Sequence, residues 1–141
     1  MEYRGDMITD SGAKIPVFDD YAHHPTEIKA TLAGALGMGY ERVFVVFQPH
    51  TYSRTASLFD EFASSFEGVH PIFADIYAAR EVNTFGISSE KLAAAAGGIF
   101  LPTNDEIAKY LRSELRDGDM LIVMGAGDII KLDEMIIDVK G

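Results

Sequence analysis

Four short stretches of this chain concentrate histidine, arginine and acidic side chains, and each directly follows an apolar run. They are Asp19-Asp20-Tyr21-Ala22-His23-His24-Pro25, Gln48-Pro49-His50-Thr51-Tyr52-Ser53-Arg54-Thr55, Asp75-Ile76-Tyr77-Ala78-Ala79-Arg80-Glu81 and Gly125-Ala126-Gly127-Asp128. In an open parallel α/β sheet, ligands bind in the crevice beyond the carboxyl ends of the strands. If the apolar runs are parallel strands, the four stretches converge on one edge and gather three of the four histidines, the aspartates Asp19 and Asp20 among others, Arg54 and Arg80. A cleft of such mixed charge suits a zwitterion or a carboxylate-bearing substrate better than a bare polyphosphate. Arginine grips a carboxylate at two points, while an acid takes a cation.

Each element also has a plainer structural use. Adjacent residues such as His23 and His24 rarely point the same way, and no H-E-x-x-H spacing accompanies them, so no metal site is assigned. One of the two is expected to cap or line a helix start. Asp19 and Asp20 suit a cap or a turn, and Tyr21 suits an edge aromatic. Gly125-Ala126-Gly127 fits either a weak phosphate-binding turn or a tight strand-to-helix turn. The six-residue G-x-G-x-x-G pattern fails at Ile130, and no G-x-x-x-x-G-K-[ST] occurs, so the chain has no P-loop for phosphoryl transfer.

The elements that must position these residues alternate between β-rich runs and longer segments of helical period, the pattern of a sheet flanked by helices. Strands are predicted at Glu2 to Ile8, Ile15 to Asp19, Arg42 to Phe47, Pro71 to Asp75, Ile99 to Leu101 and Met120 to Met124. Asp10-Ser11-Gly12 supplies a turn between the first two, so an N-terminal hairpin is expected and the remaining strands should be mostly parallel. Helices are predicted at Pro25 to Leu36, Thr55 to Phe66, Ser89 to Ala96, Asp105 to Leu115 and Asp128 to about Asp138. The reading is a Rossmann-like, three-layer α/β domain with a sheet of about six strands.

Composition narrows the partners. With 12 Lys+Arg against 22 Asp+Glu, the formal net charge is 12 − 22 = −10. Nucleic acid and anionic membranes both require clustered positive charge, so neither is expected as a partner. The chain has no cysteine, hence no disulfide framework. Its longest apolar runs are far short of the roughly 20 residues that span a bilayer. These features read as a soluble, cytoplasmic domain, and a strand beginning almost at Met1 reads as a cut from something longer.

The stretch Asp19 to Ile28 resembles the signature opening the C-terminal domain of the UDP-N-acetylmuramate:L-alanine ligases, a branch of the Mur ligase family active in peptidoglycan synthesis. The match continues in order through Phe47 to Thr55, Ile76 to Glu81 and Met124 to Ile129. The resemblance implies a three-domain enzyme of which residues 1–141 are the third, amino-acid-binding domain, the UDP-sugar and central ATPase domains being absent. It implies ATP and Mg2+ held mainly by the absent central domain, with L-alanine and UDP-N-acetylmuramate as the other substrates. The muramate carboxylate is activated as an acyl phosphate that the alanine amine attacks. By the same resemblance, Asp20 and Tyr21 lie on the nucleotide side, and His23, His50 and Arg54 line the amino-acid substrate. No catalysis is expected of the isolated chain.

Two departures bear on these roles. Thr51 stands where some family members have arginine, so a two-arginine grip on the carboxylate is not expected; by the resemblance and its guanidinium geometry, Arg54 is the residue for the alanine carboxylate. An arginine that precedes the first strand in the family would fall before Met1, and Arg4, on the strand itself, is not given its role. Ligases that attach recycled tripeptide to UDP-N-acetylmuramate share a similar opening motif. They tend to have phenylalanine at the Tyr21 position and to lack the Gln-Pro-His-Thr segment. A non-catalytic binding module is the alternative of another class.

Overall fold

The structure is a computed structural model that describes residues 1–140. Its strands are β1 (Glu2–Ile8), β2 (Lys14–Asp20), β3 (Arg42–Phe47), β4 (His70–Phe73), β5 (Ile99–Phe100), β6 (Asp119–Met124) and β7 (Val139–Lys140). They form one sheet in the order β5-β4-β3-β6-β2-β1-β7. The strands from β5 to β2 are mutually parallel, while β1 runs antiparallel to β2 as the expected hairpin. Asp20 pairs in register with Met124, Met124 with Phe47, and Phe47 with Phe73. The loops that carry the polar stretches therefore all start from one line across the sheet.

Alternation of side chains along β3 and β6 sends neighbours to opposite faces and builds the three layers. Val43, Val45, Phe47, Met120, Ile122 and Met124 face a layer containing α1 (Pro25–Leu36), α3 (Phe59–Ala63) and α4 (Ser89–Ala96). Phe44, Val46, Leu121 and Val123 face α5 (Asn104–Glu114) and α6 (Lys131–Ile136). Both central strands are buried on both faces, which explains their unbroken apolar sequence. At their amino ends, Arg42 grips the buried Asp119 with Nε at 2.8 Å and Nη2 at 2.6 Å. Serine and threonine cap two of the helices: Ser88 accepts from Lys91 N–H and Thr103 from Glu106 N–H.

The structure differs from the sequence reading in three places. Among the described residues there are seven strands rather than about six, because the short β7 adds to the outer edge of β1. The second helix does not run unbroken from Thr55 to Phe66. It begins three residues earlier as α2 (Tyr52–Ser57), breaks at Leu58, resumes as α3 and ends in a turn of 3-10 helix at Ser64–Phe66. The break lets α2 point at the cleft while Phe62 and Phe66 remain packed on Phe47. The last helix starts as a 3-10 turn and stops at Ile136, since Asp138 is needed outside it. There Asp138 accepts the Ile8 N–H at 2.8 Å and pairs with Arg112 at 2.8 Å.

One buried acid is held protonated. Asp133 of α6 is 7% exposed and lies within hydrogen-bonding reach of Asp19 on β2, which also accepts from Arg4 Nε at 2.8 Å. Burial pushes the Asp133 carboxyl up to about 8, and the bond to Asp19 and that residue's negative charge push the same way, against Arg4 and Lys140. One oxygen of each carboxyl is buried with no other partner. A proton carried by Asp133 and donated to Asp19 supplies the missing bond. Folding therefore binds a proton between about pH 4 and pH 8, and stability falls as pH rises through that window. Asp133→Asn keeps a donor but cannot ionise. Its thermal midpoint should exceed that of the wild type at pH 8.5, with the gap narrowing towards pH 5; a gap independent of pH would contradict the shared proton.

Candidate functional site

The two histidines at the end of β2 have separate tasks. His24 is the N-cap of α1: its Nδ1 accepts from Thr26 N–H at 3.2 Å, and Glu27 reaches back to the His24 N–H at 3.2 Å. This is the cap expected of one member of the pair, and Pro25 occupies the first helical turn behind it. His23 turns the other way. Its Nδ1–H donates to the Tyr21 carbonyl at 3.0 Å, leaving Nε2 as an acceptor, and its ring stands 5.4 Å from Tyr21 and 6.0 Å from His50.

His50 is brought to the same place by the loop after β3. Its ring stacks on Tyr77 at 5.4 Å with an interplanar angle of 17°, and a backbone bridge joins the two residues. That bridge comprises Thr51 N–H to Tyr77 O and Tyr77 N–H to Pro49 O, both 2.9 Å. Burial lowers the His50 pKa below the ordinary imidazole value, and the charge of Arg54 adds to the effect, so the ring is neutral at pH 7. Arg54 lies in the first turn of α2, half-buried, and makes no ion pair with Asp60 or Glu61 among the described residues.

Asp20 and Tyr21 border a neighbouring space. The Asp20 carboxylate accepts the Ala22 N–H at 2.8 Å and the Thr31 hydroxyl at 3.1 Å, so it fixes the turn into α1. Beside it a cavity of about 610 Å³ is lined by Arg4, Asp19, Asp20, Tyr21, Gly125 and Ile130, among others. Tyr21 is 72% exposed at its rim. An aromatic face with an apolar wall fits a flat heterocycle, while three carboxylates nearby, those of Glu2, Asp19 and Asp20, disfavour phosphates.

Gly125-Ala126-Gly127 proves to be a steric seat. The buried carboxamide of Gln48 donates to Asp128 at 2.9 Å and accepts the Ile129 N–H at 3.1 Å, so that helix-start amide is already used. A Cβ on Gly127 would lie 2.5 Å from Gln48 Oε1 and 2.7 Å from Tyr77 Cγ. Glycine is needed here for close approach.

Gln48, Tyr77 and Glu81 lie in the polar stretches but carry no chemical signal in the sequence that marks them as part of the site. Glu81 accepts the Ser53 N–H at 3.0 Å and, with its other oxygen, the Ser53 hydroxyl. These bonds hold its carboxyl below the ordinary range. Arg80 was expected in the cleft; it is exposed, and no hydrogen bond or ion pair ties it to the cluster among the described residues. The non-glycine residues with positive φ are Thr51 at 66°, Ala79 at 50° and Arg80 at 80°, all on the two loops joined here. Each such residue costs on the order of 1–3 kcal/mol and persists only where its surroundings dictate it.

Residues 3–127 match the glutamate ligase domain of Mur ligases, and the chain belongs to that family. The UDP-N-acetylmuramate–L-alanine ligase of Clostridium acetobutylicum is 52% identical over 129 residues, covering 87% of this chain and 28% of the relative. The chain thus spans less than a third of the length of that enzyme. The solved UDP-N-acetylmuramate-alanine ligase MurC of Thermotoga maritima aligns over 90% of this chain and 27% of its own, with a TM-score of 0.67 at 23% identity. A murein peptide ligase of Psychrobacter arcticus aligns over 96% of this chain and 28% of its own, with a TM-score of 0.69 at 25% identity.

Gly127→Ala tests the seat. Gln48 is pinned at both ends of its carboxamide, so the added methyl must displace Tyr77 or break a buried bond. A loss of about 1–3 kcal/mol in denaturant unfolding is expected, the usual cost of overpacking; an unchanged unfolding midpoint would show that the turn has room to spare.

Proposed function

We propose that residues 1–141 are the C-terminal, amino-acid-binding domain of a cytoplasmic ATP-dependent ligase that joins L-alanine to UDP-N-acetylmuramate in peptidoglycan synthesis. The observation that carries the reading is Arg54: a half-buried guanidinium with no ion-pair partner among the described residues, beside a neutral His50, at the carboxyl edge of the sheet. A guanidinium left without a counter-ion there is a positive charge that an anionic ligand would pair, in charged hydrogen bonds of two-point geometry. The relatives that share about half of their aligned residues with this chain are named for the L-alanine reaction. Tyr21 and the Gln48-to-Thr51 segment also favour that reaction over tripeptide recycling.

The chemistry explains the need for other domains. A carboxylate at neutral pH has no leaving group, and ATP supplies one when bound with Mg2+, both held mainly by a central domain. UDP-N-acetylmuramate is bound by an N-terminal domain. This chain's part is to present the amine. Arg54 holds the alanine carboxylate in two-point contact, and the neutral His50 and the free His23 Nε2 border the ammonium, which must lose a proton before attack. Holding the amine against the acyl carbon is catalysis by proximity. Asp20 and Tyr21 flank the nucleoside side of the cleft, and closing it keeps water from the acyl phosphate. Thr51 cannot extend a second charged grip, because its side chain is a short uncharged hydroxyl, which accepts the Arg54 N–H at 3.4 Å.

Two measurements test the proposal. The purified chain, given ATP, UDP-N-acetylmuramate and L-alanine, should release no phosphate, and turnover by the chain alone would refute the division of labour. In the whole ligase, Arg54→Ala should chiefly raise the KM for L-alanine. A lost charged hydrogen bond of about 1.5–3 kcal/mol corresponds to a roughly 10- to 150-fold change. The KM for ATP should change far less. Unaltered alanine kinetics would reduce Arg54 to a surface residue.

A further inference from the structure

We infer that Glu81 is the positioning residue for Arg54: its carboxylate fastens the first turn of α2 and thereby sets where the guanidinium points. The inference rests on the reading of Arg54 as the holder of the substrate carboxylate.

The helix that presents Arg54 is only six residues long, Tyr52–Ser57, well below the length that is stable by itself. Its own cap is weak, since the Thr51 hydroxyl receives the Arg54 N–H at 3.4 Å. Glu81 supplies what is missing. One oxygen takes the Ser53 N–H at 3.0 Å and the other takes the Ser53 hydroxyl, so the carboxylate binds the residue next to Arg54 at two points. A carboxylate at the positive end of a helix is also favourable to the peptide dipoles.

The loop that delivers Glu81 is built for the purpose. Ala79 and Arg80 both adopt left-handed backbone, φ 50° and 80°, immediately before it, and the Glu81 N–H closes the turn on the Ala78 carbonyl at 2.9 Å. On the opposite loop Thr51, a β-branched residue at φ 66°, is locked by its N–H to the Tyr77 carbonyl at 2.9 Å and by the Thr55 hydroxyl on its own carbonyl at 2.7 Å. The strain on both sides of the Ser53–Glu81 contact is what an over-determined joint looks like. Both Glu81 oxygens are spent on Ser53, so Glu81 acts through the helix and does not itself hold the substrate.

The test is steady-state kinetics of the whole ligase carrying Glu81→Gln, Arg54→Ala and the pair, with thermal midpoints measured alongside. Glutamine keeps the length but loses the charge and one acceptor. Glu81→Gln should raise the KM for L-alanine about tenfold, the usual scale for a charged hydrogen bond, with the KM for ATP changed less than about twofold. In the Arg54→Ala background the same substitution should add nothing, because the residue through which it acts is gone. Effects that multiply in the double variant, an unchanged alanine KM in Glu81→Gln, or a parallel rise in both KM values with a lowered midpoint would each overturn the inference. A wild-type ligase that releases no phosphate in response to L-alanine overturns the ligase reading and this inference with it. An active wild type with an insensitive Glu81→Gln overturns this inference alone.

Discussion

Gln48 stands where β3 has ended and the turn after β6 must pass beside it, and the geometry of the cleft depends on how it is held. Its N–H continues the ladder to the Met124 carbonyl at 3.1 Å, while its side chain binds Asp128 and the Ile129 N–H. It is buried, so an unmet amide would cost the full desolvation of that group. Donor and acceptor ends face partners of opposite kind, which fixes the orientation of the carboxamide. The two glycines follow from this placement: Gly125 passes against the Gln48 carbonyl and Gly127 against its side chain and Tyr77. With Tyr77 seated on Gly127, its ring is where His50 stacks. One carboxamide thus ties the β6 turn to the loop that carries the site.

The layers were legible in the sequence because burial on a sheet is periodic. The apolar runs of β3 and β6 read as strands and are the doubly buried centre of the sheet, and Ile28 and Leu32 are buried on the inner face of the predicted helix α1. What escaped was set by tertiary partners. Leu58, Phe59, Phe62 and Phe66 keep helical spacing across a break at Leu58, because the stripe records where side chains pack, not whether the backbone between them is continuous. The two residues of β7 carry no alternation to read, and they join the sheet through pairing with Gly5 and Asp6.

The site was legible in part, and for a chemical reason. Histidines and arginine after a strand are conspicuous because nothing in a core calls for them, so His23, His50 and Arg54 stood out. Tyr77 and Glu81 did not. Each has an ordinary local explanation, an edge aromatic and a loop acid, and their importance lies in partners 27 and 28 residues away. Glycine was the available clue: a Gly-x-Gly turn that fails as a phosphate loop must be making room for something, and here that is Gln48 and Tyr77.

On the proposed reading, the distribution of charge lets the cleft take an anion on a chain with a net charge of −10. Three arginines are committed elsewhere: Arg42 to Asp119, Arg4 to Asp19 and Arg112 to Asp138. Each holds an edge or an end of the sheet. Arg54 sits apart from these pairs, and the acid nearest its helix, Glu81, is turned onto Ser53 by backbone strain. Paired with Arg54, that carboxylate would cancel the positive charge; placed on the helix N-terminus, it compensates the peptide dipoles and leaves the guanidinium available. The neutral His50 adds no second cation. The result is one directed positive charge in an acidic surround, which suits a single carboxylate on a small zwitterion and repels a polyphosphate.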